Sequence, residues 1–465
     1  MLKAIGRRFP SAWVILVRLG IIAGVLLAGV LVGRMAVQFR QPVVLLAVGV
    51  FPVAGLVLLR YGRLEHVVLG IILAAAVVRF SLPTGTQSRI VMSLVVTAGA
   101  LALWIVRMLV VEKRLWLKPA STNIPLLGFI FTCIISYFWS SVFRDLLVVT
   151  WDSWPFVQLG GLAVMICLPG AFLVTSNCLQ EVKWIIWLTG IILAAGTVAI
   201  VGYYLHLPVS FLQVRPMFPT WFIALAYAQA LYNRRLSWVV RALLLLLAAA
   251  WVYRVFVRQF SWLSAWLPAL SAIAVISVLR SKKLLVLLIV LLVIYVGLSL
   301  TTIEATLQEE SVGSGETRLD AWLHNWRVTG KHLLFGVGPA GYAVYYMTYF
   351  PMEAMASHST YIDILSQTGI VGTSFFLWFF VALCIAGMKL WRRTKGRSDF
   401  VEAFSVAAMG GYVGTILAMA LGDWLVPFVY TQTIAGFDYA VYTWVLLGAA
   451  LCLYHILVEA EGAEV

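Results

Sequence analysis

The side chains best suited by type to do chemistry lie between Thr301 and Gln367. This stretch holds seven of the chain's 19 acidic residues, Glu304, Glu309, Glu310, Glu316, Asp320, Glu353 and Asp363, against Arg318, Arg327 and Lys331. Near its end, Ser357-His358-Ser359-Thr360-Tyr361 leads into a helical pattern. His358, Tyr361, Ile362 and Leu365 are predicted to share one face of it, so that an imidazole and a phenol point at one site, with Ser357 as the cap. An imidazole titrates near neutrality and suits a general base. The plainer reading of a lone histidine on an apolar face is a satisfied structural residue, and spacing alone does not prefer His358 over His206, His324 or His332. The nearby carboxylates form no ligand cluster, so neither a metal nor a cofactor is expected.

Just upstream, Leu319, Trp322, Leu323 and Trp326 fall at i, i+3, i+4 and i+7, the stripe of an amphipathic helix lying along a membrane surface. Arg318 sits one turn from Trp322 on the same side. The pattern breaks in Phe335-Gly336-Val337-Gly338-Pro339-Ala340-Gly341. Gly-x-Gly can cradle a phosphate, but no strand precedes it and no Lys-Ser/Thr follows, so a tight turn is the better reading.

The elements that position these residues follow from composition. The chain has 465 residues, 63% hydrophobic and 11% charged, with a mean hydropathy of +0.99. Soluble domains carry roughly 25% charged residues. So apolar a chain uses lipid as its solvent, where only helices or closed barrels satisfy the backbone, and its long unbroken apolar runs select helices. Candidate spans lie near 13–33, 42–59, 65–82, 89–111, 123–142, 154–175, 183–206, 217–233, 236–253, 260–279, 283–300, 368–389, 400–422 and 430–455. The expected fold is thus all-α: a polytopic bundle of 12–14 spans with one large extracytoplasmic loop carrying short amphipathic helices. Residues 1–300 form the first part of the bundle, 301–367 the loop and 368–465 the last spans.

The net charge of +14 reflects Lys and Arg clustered in short loops, a topology signal rather than a nucleic-acid surface. Placing the basic loops at 107–118, 234–235, 280–283 and 389–397 in the cytoplasm puts both termini inside and turns the Arg215 and 301–367 loops outward. Lys3, Arg7 and Arg8 before the first apolar run suggest a signal peptide, but no convincing cleavage pattern follows, so a retained helix is expected. The five cysteines show no paired spacing and read as small buried hydrophobes.

The ordered set Gly315-Glu316-Thr317-Arg318-Leu319-Asp320-Ala321-Trp322, Gly336-Val337-Gly338, His358-Ser359-Thr360-Tyr361 and Gly369-Ile370-Val371-Gly372 resembles the O-antigen ligase and polymerase superfamily. The resemblance implies a metal-independent, inverting glycosyltransferase in the bacterial cytoplasmic membrane. Such an enzyme moves a glycan from undecaprenyl diphosphate to an acceptor hydroxyl on the outer face. It implies His358 as the catalytic base and Arg318 and Arg215 as diphosphate-binding residues. Tyr361 and Trp322 are possible support, although an aromatic at a membrane surface is more often an anchor. Ser359 departs from the family's usual asparagine. At Ser261-Trp262 an arginine common in the family is missing, and Arg258, one turn earlier, is its candidate substitute.

Guanidinium groups suit this chemistry, because they match phosphate oxygens bidentately and stay charged near lipid. The implied partners are the lipid-linked glycan donor, a glycan or lipid-linked acceptor and membrane lipid, with no nucleic acid. The motifs do not separate a ligase from a polymerase that joins lipid-linked repeat units. A transporter or flippase of lipid-linked oligosaccharide is the rival of another class. It predicts internal repeats and broken, charged helices in mid-membrane, and neither stands out.

Overall fold

The computed structural model of the chain describes residues 64–83, 89–212, 214–215, 217–260, 263–300, 316–351 and 357–463; the side chains of 83, 316–318 and 462–463 fall outside that description. In chain order the elements are α1 (Leu64–Val77), an antiparallel ribbon of β1 (Ser81–Pro83) and β2 (Arg89–Val91), α2 (Met92–Val110), α3 (Asn123–Val142), α4 (Trp154–Cys178) and α5 (Val182–Tyr204). Then come α6 (Met217–Tyr232), α7 (Trp238–Val252) with a π-helical continuation over Tyr253–Val257, α8 (Leu263–Arg280) and α9 (Lys282–Leu298). The loop helices are α10 (Glu316–Thr329) and α11 (Tyr342–Tyr349), and α12 (Thr360–Thr394), α13 (Phe400–Leu421), the single turn α14 (Val429–Gln432) and α15 (Phe437–Ala463) complete the chain.

Among the described residues nine helices are long and apolar enough to cross a membrane, so this is a multi-pass helical membrane protein. The expected spans at 13–33 and 42–59 lie outside the described residues. The other twelve each coincide with a helix, but those at 65–82, 217–233 and 283–300 are short, at 14, 16 and 17 residues. The first stops early because the chain turns into the ribbon, which pairs Ser81 with Val91 and Leu82 with Ile90.

The structure divides into two compact units. The smaller comprises residues 1–63 and 102–116. Its described part is the second half of α2 and the turn after it, where Arg107 pairs with Glu112 at 3.6 Å and Arg114 covers the Trp116 ring. The larger unit, 64–101 and 117–465, contains every residue discussed below.

Within the larger unit, α13 is buried along most of its length and packs on α6 and α8 through glycines. Gly411 abuts Trp221, Gly414 abuts Thr220 and the Pro268 carbonyl, and Gly410 abuts Ile276 and the Ala272 carbonyl. Small residues let helix backbones approach closely where lipid offers no hydrophobic drive. The pairing also sets direction: the Leu421 end of α13 lies beside the starts of α6 and α8. Phe218 meets Tyr442 at 5.3 Å and Trp221 Nε1 donates to Thr443 Oγ1 at 3.2 Å, which brings the start of α15 to the same end. Ser93 donates to Asp438 and Arg79 Nε donates to the Phe211 carbonyl, adding the ribbon and the segment after α5. Thr360 binds the Gly422 carbonyl with both its amide and its hydroxyl (2.8 Å), adding the start of α12.

At the opposite end the Arg234 amide donates to the Ser398 carbonyl at 3.0 Å, Arg235 pairs with Asp399 at 3.7 Å and Lys118 pairs with Glu459 at 3.0 Å. The loops at 234–235 and 389–397 and residue Lys118, grouped by charge in the sequence, therefore share one end. The Arg215 segment and His358 share the other.

Candidate functional site

The site has two parts at this second end. The first is a cavity of about 770 Å³ walled by the ends of α5, α6, α7 and α8 and by the segment 206–215. Arg79, Arg215 and Arg254 line it, with His206, Tyr203 and Gln259, and no described lining residue is acidic. Arg254 is half-buried in the π-helical turn, its guanidinium 4.2 Å from the Tyr203 ring centre and 5.1 Å from that of Trp251. These aromatic faces hold the cation in place without neutralising it. Three guanidinium groups with no carboxylate among the described lining residues give the cavity a cationic wall suited to an anion.

Arg215, selected from sequence, is exposed and lines this cavity. Arg258 is exposed as well but is not among the lining residues; Arg254, one turn earlier, is. The reason is the wide turn at 253–257, after which an α-helical period no longer tells which residue faces inward. Arg79 was also missed, since its place depends on the ribbon that reverses the chain behind it.

The second part is the turn that carries His358. The expected helical face shared by His358 and Tyr361 does not form, because α12 starts at Thr360 and Ser359 occupies its cap position. Tyr361 turns away and donates to the Ile416 carbonyl at 3.0 Å. His358 lies before the helix, exposed, with φ at +50°. Left-handed backbone is uncommon outside glycine, and here neighbouring bonds hold it. Trp322 Nε1 donates to the Ser357 carbonyl at 2.6 Å, and Ser359 Oγ donates to the Met419 carbonyl at 3.3 Å. Trp322 thus braces the histidine turn.

Arg318 is placed by its backbone one turn before Trp322 in α10; its side chain lies outside the described set. Ala321, Asn325 and Val328 form the buried face of α10, while Leu319, Leu323 and Trp326 are exposed, so the apolar stripe points away from the protein.

Between these residues runs a joint made of backbone. Gly369 (φ 65°, ψ −168°) interrupts α12. The amides of Ile370 and Val371 then bond the carbonyls of Leu333 and Leu334 at 2.7 and 3.4 Å. In return the amides of Val337 and Gly338 bond the carbonyls of Ser366 and Gln367 at 2.8 and 3.1 Å. Gly336 and Gly338 have φ of +69° and +83°, and a Cβ on Gly336 would press on the Ser366 carbonyl. The Gly-x-Gly is therefore a tight turn whose amides are spent on the His332 carbonyl and on α12, and it has none to offer a phosphate.

A small core of Trp154, Val337, Tyr342, Tyr345, Tyr346 and Phe428 underlies the joint. Tyr342 stacks on Phe428 at 4.2 Å, and burial, followed by the adjacent Asp363 carboxyl, pushes its phenol well above the ordinary range. On the rim, Tyr349 donates to Asp145 Oδ2 at 2.5 Å, which lowers the Asp145 pKa and pushes Tyr349 up to about 12. His332, half-buried beside Tyr345, has its pKa lowered by loss of solvent, with Asp145 opposing.

A family model described as O-antigen ligase matches residues 221–377, which is 157 of the chain's 465 residues. No curated protein matches the chain. The matched stretch contains Arg254, the glycine joint and His358, whereas Arg79 and Arg215 precede it. Over this stretch the chain is similar to the O-antigen ligase family.

Proposed function

We propose that this protein is a glycosyltransferase of the cytoplasmic membrane that moves a glycan from undecaprenyl diphosphate to an acceptor hydroxyl at the outer face, as a ligase does. The observation that carries this reading is the cavity lined by Arg79, Arg215 and Arg254 without a described carboxylate, at the same end of the bundle as the braced His358 turn. A diphosphate is already a good leaving group and needs charge stabilisation more than protonation. The arginines accept that charge in a setting partly shielded from water, where it counts for more.

The acceptor hydroxyl gives its proton to the His358 imidazole and attacks the anomeric carbon. The bond from that carbon to the diphosphate oxygen breaks, and the electron pair leaves with the carrier. Displacement in one step inverts the anomeric configuration. The arginines supply the cationic role that metal ions play in other phosphate chemistry, so the proposed reaction is independent of metal. Arg318, on the helix whose Trp322 braces the turn, is the diphosphate ligand from the 301–367 loop. The stripe of Leu319, Leu323 and Trp326 rests on the lipid surface from which the donor arrives.

The test is direct. Purified protein in detergent is incubated with an undecaprenyl-diphosphate oligosaccharide and a panel of acceptors, including a second donor molecule. Release of carrier diphosphate with transfer to a foreign acceptor supports a ligase; extension of the donor itself supports a polymerase. Donor movement across vesicles without any transfer would mean a transporter and end this reading. Cysteine labelling at positions 215 and 358 from outside intact cells tests the assigned face.

A further inference from the structure

Asp363 is buried in the loop end of α12, and its carboxylate is used unevenly. Oδ1 accepts the Tyr342 hydroxyl and the Ser357 hydroxyl, each at 2.6 Å. Oδ2 is buried with no hydrogen-bond partner among the described residues. A buried carboxylate left half-satisfied costs stability, so a residue serving packing alone would be better replaced by an apolar one. What Oδ1 holds gives the reason. The Ser357 hydroxyl that donates to Asp363 also accepts the Ser359 amide at 3.1 Å, closing a short turn around the residue between them. That residue is His358, at φ +50°. The outer side of the same turn is fixed by Trp322 on the Ser357 carbonyl at 2.6 Å.

We infer that Asp363 is a positioning residue for His358, acting through the Ser357 hydroxyl to hold the histidine's backbone in its left-handed turn while Tyr342 steers the carboxylate. This rests on the reading of His358 as the base in glycosyl transfer. The chain of contacts runs from α11 (Tyr342) through α12 (Asp363) to the turn, so it couples the small core under the loop to the reacting group. A general base displaced by about 1 Å can cost roughly a hundredfold in rate. The clamp therefore acts on kcat, leaving the cationic cavity to set donor affinity.

The experiment uses full-length protein in detergent with the oligosaccharide donor and an accepted acceptor. Ser357→Ala removes the link and leaves the Asp363–Tyr342 bond in the core. It is expected to lower kcat between about tenfold and a hundredfold with KM for the donor unchanged, and Ser357→Thr, which keeps the hydroxyl, recovers most of the rate. In a His358→Ala background the same change has no further effect, because the clamp works only through the imidazole. An equal loss in both backgrounds overturns the inference. A readout independent of transfer is the rate at which diethyl pyrocarbonate modifies His358, followed by mass spectrometry against His206. Ser357→Ala and Asp363→Ala are expected to change that rate several-fold, and Asp363→Asn, which keeps an acceptor oxygen, less. If the wild type transfers to no acceptor, the glycosyltransferase reading fails by itself; an unaltered His358 modification rate in Ser357→Ala overturns the clamp whatever the activity.

Discussion

The cavity and the glycine joint lie at the same end of the bundle yet are built by opposite means. The cavity is made of side chains from elements far apart in sequence: Arg79 before the ribbon, Arg215 ahead of α6 and Arg254 in the π-helical turn. The joint is made of backbone, with amides of 337, 338, 370 and 371 exchanging bonds with carbonyls of 366, 367, 333 and 334. A site of the first kind tolerates change in any one wall but loses charge with each arginine. A site of the second kind needs residues without a Cβ at fixed places, so its sequence is constrained and its geometry is stiff. In the proposed reaction, ligand affinity falls to the first part and catalytic alignment to the second.

If that division holds, substitutions should separate cleanly. The largest effect is expected for His358→Ala, a loss of about 100- to 10,000-fold in kcat with the unfolding midpoint and donor KM unchanged, measured by carrier diphosphate release. Next, Gly369→Ala forces a side chain into a conformation that is essentially glycine's and against the Leu334 carbonyl. It should cost about 3 kcal/mol or more in thermal unfolding in detergent and lower kcat as well. Wild-type stability there would show the joint to be slack and remove its role in alignment.

Arg254→Ala and Arg215→Ala are expected to raise donor KM about tenfold to a hundredfold, with stability little changed, the ordinary worth of a charged hydrogen bond. Arg254→Lys should recover less than half of that, since lysine lacks the fork that engages two phosphate oxygens. A kcat loss without a KM change would put these arginines in the alignment class and erase the contrast. The smallest effect concerns pH. The His332 pKa is lowered in the folded state, so the unfolded chain binds the extra proton first. Stability should therefore fall as pH drops below the ordinary imidazole pKa of about 6.5 and through the lowered folded value. His332→Gln should flatten that part of the unfolding profile.

The bundle itself was legible in the sequence because nine of its described helices are apolar runs of 18 residues or more, and lipid leaves such a run no other structure. The basic loops were legible too: Lys118, Arg234 and the 389–397 loop meet at one end, as their charge implied. The glycine motifs pointed to a turn because positive φ leaves few residue choices. His358 and Tyr361 were misassigned to one helical face, since nothing local says that the helix starts at Thr360 and not at Ser357. That start is decided by Gly422 and Met419, about 60 residues away, which bind Thr360 and Ser359.

What the sequence determined alone is what depends on short-range physics: solvent preference, helix content, the grouping of basic loops and the residues able to adopt left-handed backbone. Only the tertiary structure decided that Arg254 rather than Arg258 lines the cavity, that Arg79 joins it, and that Asp363 grips Ser357 beside His358. Each of those depends on how a helix is turned about its axis or where it begins. That phase is set by packing against distant neighbours, which the order of residues along one segment does not encode.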